Sequence, residues 1–234
     1  DLFKNMHRQV KVAQHNIQHK DQPAIDAELA KLSYPYFFLD YETVSIAVPD
    51  VEGMWPYQRL AFQYSLHIQY EPGGPLTHRE CLLTNREEGM LPLLKQLKAD
   101  IPQDAGGTVI VWNKGFEKSV NSDMGETYPQ YVTYLNGLND RVWDLMDLFK
   151  GGLVEDPKFY GSASIKKVLP ALKPEFNYSD LAISEGGAAS YTWHQLSTGQ
   201  VEESKVGSLR KELLKYCEQD TMAMVLLMDW ARGM

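Results

Sequence analysis

Asp40 and Glu42 stand one residue apart in Tyr36-Phe37-Phe38-Leu39-Asp40-Tyr41-Glu42-Thr43, a run that is otherwise almost wholly apolar. In a strand, positions i and i+2 point to the same face, so the two carboxylates project side by side. Buried carboxylates are costly unless they are paired or hold a metal ion. A strand end emerging into solvent would account for the pair equally well. Tyr216 and Asp220, in Lys215-Tyr216-Cys217-Glu218-Gln219-Asp220-Thr221, form a second group. At i and i+4 they share a helix face, beside an apolar stripe, which turns Asp220 toward the interior. The plainer account is a partly exposed Asp with a Tyr over it. Asn113-Lys114-Gly115-Phe116-Glu117 is the third, placing Glu117 in a first helical turn just after a buried strand. Alone, Glu117 would serve only to complement a helix dipole. Taken together, carboxylates from separate elements could clamp two divalent ions about 4 Å apart, the arrangement that hydrolyses phosphodiesters. Hard oxygen ligands suit Mg2+ or Mn2+.

The elements that must position these groups follow from the hydrophobic pattern. Residues 36–43 read as a central strand buried on both faces. Leu60 to Tyr70 alternates, with Phe62, Tyr64, Leu66, Ile68 and Tyr70 on one side and Gln63, Ser65, His67 and Gln69 on the other, as in a half-buried strand. His67 reads as structural. The turn Pro72-Gly73-Gly74-Pro75 joins it to residues 76–83 as an antiparallel hairpin. A helix is expected within 86–99, a buried strand at 108–112, a helix from near Lys114, a short strand-like run at 141–145 and a small helix over 165–172. Residues 174–207 show little periodicity and read as a long excursion. The last helix is expected to be capped by Ser208 and ended by Gly233. This order gives a mixed α/β sheet flanked by helices. Residues 1–33 read as a polar N-terminal arm or the end of an upstream region, and 34–234 as one domain.

With 31 acidic residues against 23 Lys and Arg, the net charge is −8. That excludes a sequence-independent nucleic-acid coat, which needs a basic footprint. Cys81 and Cys217 are too few for a disulfide framework. No stretch approaches the roughly 18 apolar residues of a membrane span. A reduced, cytoplasmic setting and no membrane partner are expected. The chain opens on Asp1-Leu2-Phe3-Lys4 without Met, as an excerpt of a longer protein would.

In these motifs the chain resembles the DEDD superfamily of 3′→5′ exonucleases, in its DEDDy branch, over roughly residues 35–230. The family's first motif, an Asp-x-Glu closing the first strand, is similar to Leu39-Asp40-Tyr41-Glu42-Thr43. Its third, Tyr-x-x-x-Asp on the final helix, is similar to Tyr216 to Asp220. Its second usually ends in Asp, where Asn113 to Glu117 has Glu. Asp144 matches a place where the superfamily often carries another acid and is held in reserve. Pro56-Tyr57-Gln58, Phe62 to His67, Ser164 to Pro170 and Tyr216 to Thr221 also resemble a bacterial domain family of uncharacterised function. Its members often follow a RecB-like nuclease region, so an upstream nuclease domain of the same chain is an expected partner.

The resemblance implies an RNase H-like fold with a mixed five-stranded sheet. It implies that Asp40, Glu42 and Asp220 hold the main ion and that Glu117 and Asp40 serve the second. Tyr216 would orient the attacking water, and a terminal phosphodiester of DNA or RNA would be hydrolysed to a nucleoside monophosphate. The expected partner is a 3′ end, single-stranded in preference to duplex. Trp55 and Tyr57 could stack a terminal base, or simply pack a loop onto the core. Lys166 and Lys167 could meet phosphates, or form a solvated helix start. Two other readings stand beside the exonuclease. One is a binding or scaffolding module that keeps the fold without turnover, which the Glu at 117 favours. The other is a hydrolase of very short oligonucleotides, for which a charge of −8 is no handicap.

Overall fold

The computed structural model describes residues 2–49, 54–176 and 178–234. In chain order its elements are α1 (Leu2–His15), β1 (His19–Lys20), α2 (Gln22–Leu29), β2 (Tyr36–Ser45), β3 (Arg59–Gln69), β4 (Leu76–Leu82), α3 (Leu91–Asp100), β5 (Thr108–Val111), α4 (Lys114–Thr127), α5 (Val132–Asp140), β6 (Val142–Asp144), α6 (Asp147–Lys150), β7 (Val154–Glu155), α7 (Ile165–Leu172), α8 (Gly186–Ser197) and α9 (Glu203–Arg232).

Five strands form one mixed sheet in the order β4-β3-β2-β5-β6. The β2–β3 and β3–β4 pairs are antiparallel, and β2–β5 and β5–β6 are parallel. This is the helix-flanked, five-stranded sheet that the RNase H-like resemblance implies. β2 lies in the middle, and Phe37, Phe38, Leu39 and Tyr41 are all buried, as the apolar run required.

The two faces of the sheet carry different helices. Tyr41 Oη donates to Asn121 of α4, and Tyr64 Oη to Asp100 at the end of α3. Tyr134 of α5 donates to the Leu97 and Ile101 carbonyls, tying α5 to α3 on that same side. The opposite face belongs to α9. In register, Phe38, Asp40 and Glu42 lie across from His67, Ser65 and Gln63, so these six side chains share that face.

Here one expectation from the sequence is corrected. β3 is not half-buried: its polar row is roofed by α9 and both faces are covered. Gln63 Nε2 donates to the Leu213 carbonyl, and Ser65 and His67 both meet the Thr221 hydroxyl. Burial of these polar groups is tolerated because they are hydrogen-bonded. A second correction concerns α9 itself. The helix begins at Glu203, and Ser208 lies inside it, its hydroxyl donating to the Lys205 carbonyl. Its end is as expected, with Gly233 in the left-handed conformation.

Residues 2–33 are more than a solvated lead-in. β1 pairs with β7, Val12 and Ile25 are buried, and Lys20 and Gln22 donate to the Trp230 and Ala231 carbonyls at the end of α9.

The β2–β5 pairing depends on Gly107, whose φ is +74°. A Cβ there would collide with the Pro35 carbonyl oxygen and ring, at the point where Thr108 N donates to Pro35 O. Gly107→Ala should therefore cost about 2–3 kcal/mol, read as a lower urea midpoint with an unchanged slope. A midpoint equal to the parent's would show that the two strands do not need this close approach.

Candidate active site

Asp40 and Glu42 reach the α9 face from the end of β2. The register of β2 against β3 shifts between Glu42 and Thr43, opposing one step on β2 to two on β3 around Phe62. Such a bulge re-aims the side chains next to it. Phe62 stacks on Trp193 of α8 at 4.8 Å between ring centroids, and Ser190 of α8 donates to Thr43 O. The bulge is thus held from outside by α8.

From α9, Tyr216, Cys217 and Asp220 face this strand end, all three buried. The Cys217 thiol lies 3.5 Å from Asp40 Oδ2. Asp40, Glu42 and Cys217 each place a ligand atom within 4.8 Å of the other two. Burial and the surrounding carboxylates push the thiol's pKa well up, so Cys217 acts as a neutral donor to Asp40. Tyr178 Oη donates to Asp220 Oδ1 at 2.6 Å. Lys166 Nζ donates to Tyr216 Oη at 2.9 Å and to Ser184 O at 2.6 Å.

The fourth acid comes from the other side of β2. Glu117 sits in the first turn of α4 and is only 1% exposed. Its position is set by Asp144 at the end of β6. Asp144 accepts from the backbone N–H groups of Asn113 and Lys114, at 3.0 and 2.8 Å, and from that of Met146 at 3.1 Å. Those bonds lock the β5–α4 turn, in which Asn113 takes a left-handed φ of 88°. The reserve acid thus braces the turn beneath Glu117, with its oxygens turned to amides.

Asp40, Glu42, Glu117, Lys166, Tyr216 and Asp220 together line one cleft of about 230 Å³. Trp112, Phe116 and Ile165 supply an apolar wall. A larger cleft of about 700 Å³ lies against α1, and none of the four acids lines it. Of the residues expected to meet substrate, Lys166 is in the cleft and Lys167 is exposed on the other side of its helix turn. Trp55 and Tyr57 do not line the cleft and are 62% and 71% exposed. The aromatic rings that do line the cleft are Tyr41, Trp112, Phe116 and Tyr216. Tyr178 and Gly186 were not singled out from the sequence. A Cβ on Gly186, the first residue of α8, would stand 3.7 Å from Glu42 Oε2 and 3.9 Å from Tyr216 Oη. Both belong to the stretch that showed no periodicity, and neither residue type signals a site by itself.

Electrostatics identify what the cluster lacks. Burial raises Asp40 well above the usual carboxylate range, and Asp220, Glu42 and Glu117 add to it. Burial, with Asp220, pushes Glu42 up to about 8, against the pull of Lys166. Burial lifts Glu117 to about 9. Asp220 is displaced least, to about 6, because the Tyr178 phenol, Lys166 and Tyr216 partly offset its burial. Asp220 is therefore the acid that ionises most easily and the natural anchor for a cation. Glu117 Oε2 is buried without a hydrogen-bond partner. An orphaned carboxylate oxygen beside three more acids, with one lysine among them, is a donor set that fits hard divalent cations.

A family model described as a domain of unknown function (DUF2779) matches residues 37–164, more than half of the chain. The match takes in Asp40, Glu42, Glu117 and Asp144, and stops short of Tyr216 and Asp220. An uncharacterized protein of Ureaplasma parvum serovar 3 is 25% identical over 222 residues, covering 87% of this chain and 32% of that protein. An uncharacterized protein of Mycoplasma pneumoniae is 26% identical over 216 residues, covering 84% and 32%. The chain thus spans about a third of the length of these curated relatives. No solved structure matches it.

The raised acids make the metal-free chain sensitive to alkali. A group whose folded pKa lies above its unfolded value contributes stability that is present below the unfolded value and lost as pH rises through the folded one. For Glu42 and Glu117 that window runs from the ordinary glutamate value of 4.5 up to about 8 and about 9. Below about pH 6.5 the buried His67, lowered to about 4 by burial and by His78, works the other way. In EDTA, melting temperature should therefore fall between about pH 7 and 9.5. Glu117→Gln should flatten the fall, by about 3–6 °C if one pH unit of displacement is relieved. An equally steep fall in the variant would show that Glu117 is not the buried acid responsible.

Proposed function

We propose that this chain, which belongs to the DUF2779 family, is a metal-dependent 3′→5′ exonuclease of the DEDDy type. It would hydrolyse the terminal phosphodiester of a DNA or RNA strand to release nucleoside monophosphates. The observation that carries this reading is the convergence of Asp40, Glu42, Glu117 and Asp220, from one strand and two helices, on one cleft.

Asp40, Glu42 and Asp220 would hold one Mg2+ or Mn2+ ion, and Glu117 with Asp40 a second. Bound there, the ions would supply a nucleophile at neutral pH and charge stabilisation for the leaving oxygen. The chain's own groups do the rest. Tyr178 and Tyr216 are kept protonated, their phenols pushed far up by burial and by Asp220. Each is therefore a hydrogen-bond donor and not a base. Tyr178 fixes the Asp220 carboxylate, and Tyr216 orients a water over the same acid. Lys166, bonded to the Tyr216 oxygen, keeps that phenol pointed into the cleft and brings a positive charge in the cleft wall close to a phosphate. Trp112 and Phe116 offer a face for the terminal base or sugar. The net charge of −8 favours contact with a strand end over a long phosphate track, which the chain as a whole would repel.

The test is incubation of 5′-labelled single-stranded DNA and RNA with the chain in Mg2+ or Mn2+. The expected products are ladders shortening from the 3′ end with release of mononucleotides, abolished by EDTA. Asp220→Asn should lower the rate at least about 100-fold, beyond the 10–100-fold typical of groups that only support metal ligands. If the parent chain takes up metal yet shortens no strand, a binding or scaffolding role replaces the enzyme. If dinucleotides alone are cut, the substrate is a very short oligonucleotide. Gly186→Ala is a finer probe: its methyl fills the space between Glu42 and Tyr216 at ordinary contact distance, so activity should drop while the melting temperature holds. Parental activity would mean that substrate does not use that space.

A further inference from the structure

On the same face of the sheet, away from the cleft acids, His67 of β3 and His78 of β4 stand opposite each other in register. Their rings are 4.5 Å apart, tilted by 30°. Glu218 of α9 reaches down to them, its Oε1 3.9 Å from His78 Nδ1. His67, His78 and Glu218 each place a ligand atom within 4.8 Å of the other two. His67 is 2% exposed, whereas the Glu218 side chain is 46% exposed, so the group opens to solvent from the helix side.

One arrangement of protons satisfies all the hydrogen bonds beneath this trio at once. A carbonyl only accepts, so the Thr221 hydroxyl proton goes to Glu218 O at 3.0 Å. Thr221 Oγ1 must then accept from its two other partners, His67 Nδ1 and Ser65 Oγ, both at 2.8 Å. Ser65, having donated its own proton to Thr221, accepts in turn from His78 Nε2 at 2.9 Å. Both inner nitrogens therefore carry hydrogens. That leaves His67 Nε2 and His78 Nδ1 as the ring nitrogens free to ligate, the second of them 3.9 Å from Glu218 Oε1. Two imidazole nitrogens and a carboxylate, gathered from two strands and a helix, are a donor set that a divalent cation would complete.

We infer that His67, His78 and Glu218 form a binding site for a zinc-type divalent transition metal ion, distinct from the acid cluster, that clamps α9 onto the β3–β4 hairpin. Imidazole ligands select such an ion over Mg2+ or Ca2+. The ring nitrogens facing Ser65 and Thr221 have the second-layer hydrogen bonds that fix tautomer and orientation in zinc sites. Bonds of about 2.0–2.1 Å need the three donors to close in, which the exposed Glu218 side chain can do by a rotamer change. A water completes the tetrahedron. The clamp would hold the turn of α9 between Tyr216 and Asp220, and its existence does not depend on nuclease activity.

The test strips the 234-residue chain of metal with EDTA and dialysis, then titrates Zn2+ against a chromophoric chelator and records the visible spectrum with Co2+. One tight equivalent is expected, with tetrahedral Co2+ bands and a Zn2+-dependent rise in melting temperature. The Asp40→Asn/Asp220→Asn double variant should keep all three. His78→Gln and Glu218→Gln should each weaken Zn2+ binding at least about tenfold and abolish the rise. Glu218→Gln changes an exposed side chain, so an unchanged circular dichroism spectrum would separate lost ligation from lost folding. Zn2+ binding by both single variants equal to the parent's, or loss of the tight equivalent in the double variant, would overturn the assignment.

Discussion

Mutual repulsion of buried carboxylates is the constraint around which this structure is organised. Asp40, Glu42, Glu117 and Asp220 line one cleft, three of them buried and Asp40 partly so, and each resists ionising beside the others. The fold answers with neutral donors instead of counter-charges: the Cys217 thiol on Asp40 and the Tyr178 phenol on Asp220. A surplus of lysines would quench the cluster and fill the space a cation needs. One lysine, Lys166, bonded to a phenol, leaves the deficit of positive charge in place. The acids are thus gathered at a cost that protonation relieves and that a bound cation would relieve too.

Helix α9 is the common beam. Within six residues it presents Tyr216, Cys217 and Asp220 to β2, and Glu218 and Thr221 to β3 and β4. Thr221 is the pivot. Its single hydroxyl satisfies Ser65, His67 and the Glu218 carbonyl together, which makes a buried polar row on β3 compatible with close helix packing. The brace on the other side of the sheet is Asp144, which holds a left-handed Asn113 and through it the start of α4. The acids come from elements far apart in sequence: Cys217 and Tyr178 hold Asp40 and Asp220 directly, and Asp144 holds the turn that carries Glu117.

Much of this was legible in the sequence because periodicity and pairing are local properties. The i, i+2 spacing of Asp40 and Glu42, the i, i+4 spacing of Tyr216 and Asp220, and the strand-to-helix junction before Glu117 each put a side chain on the correct face. So did the apolar run of β2 and the turn between β3 and β4. What escaped was decided by tertiary contact. Alternation along β3 looks the same whether its polar row meets water or a helix carrying hydroxyl and carbonyl partners. Tyr178 and α8 lie in a stretch whose helix has few buried residues, Ala189 and Trp193, and so no clear stripe. Trp55 and Tyr57 stand out by residue type, while Trp112 and Phe116, two of the rings that line the cleft, sit beside motif residues and read as strand end and spacer.

The polar row of β3 also bears on how the chain is made. Synthesis runs from the N-terminus, so all five strands of the sheet emerge before α9, which ends within two residues of Met234. An unfinished sheet normally shows water an apolar face, which is how nascent proteins come to stick to one another. Here the strand beside the centre shows Gln63, Ser65, His67 and Gln69 instead, groups that water solvates well while the helix is absent. When α9 arrives, its threonine and backbone carbonyl take over from that water. The row that lets a helix dock late also keeps the waiting sheet wettable.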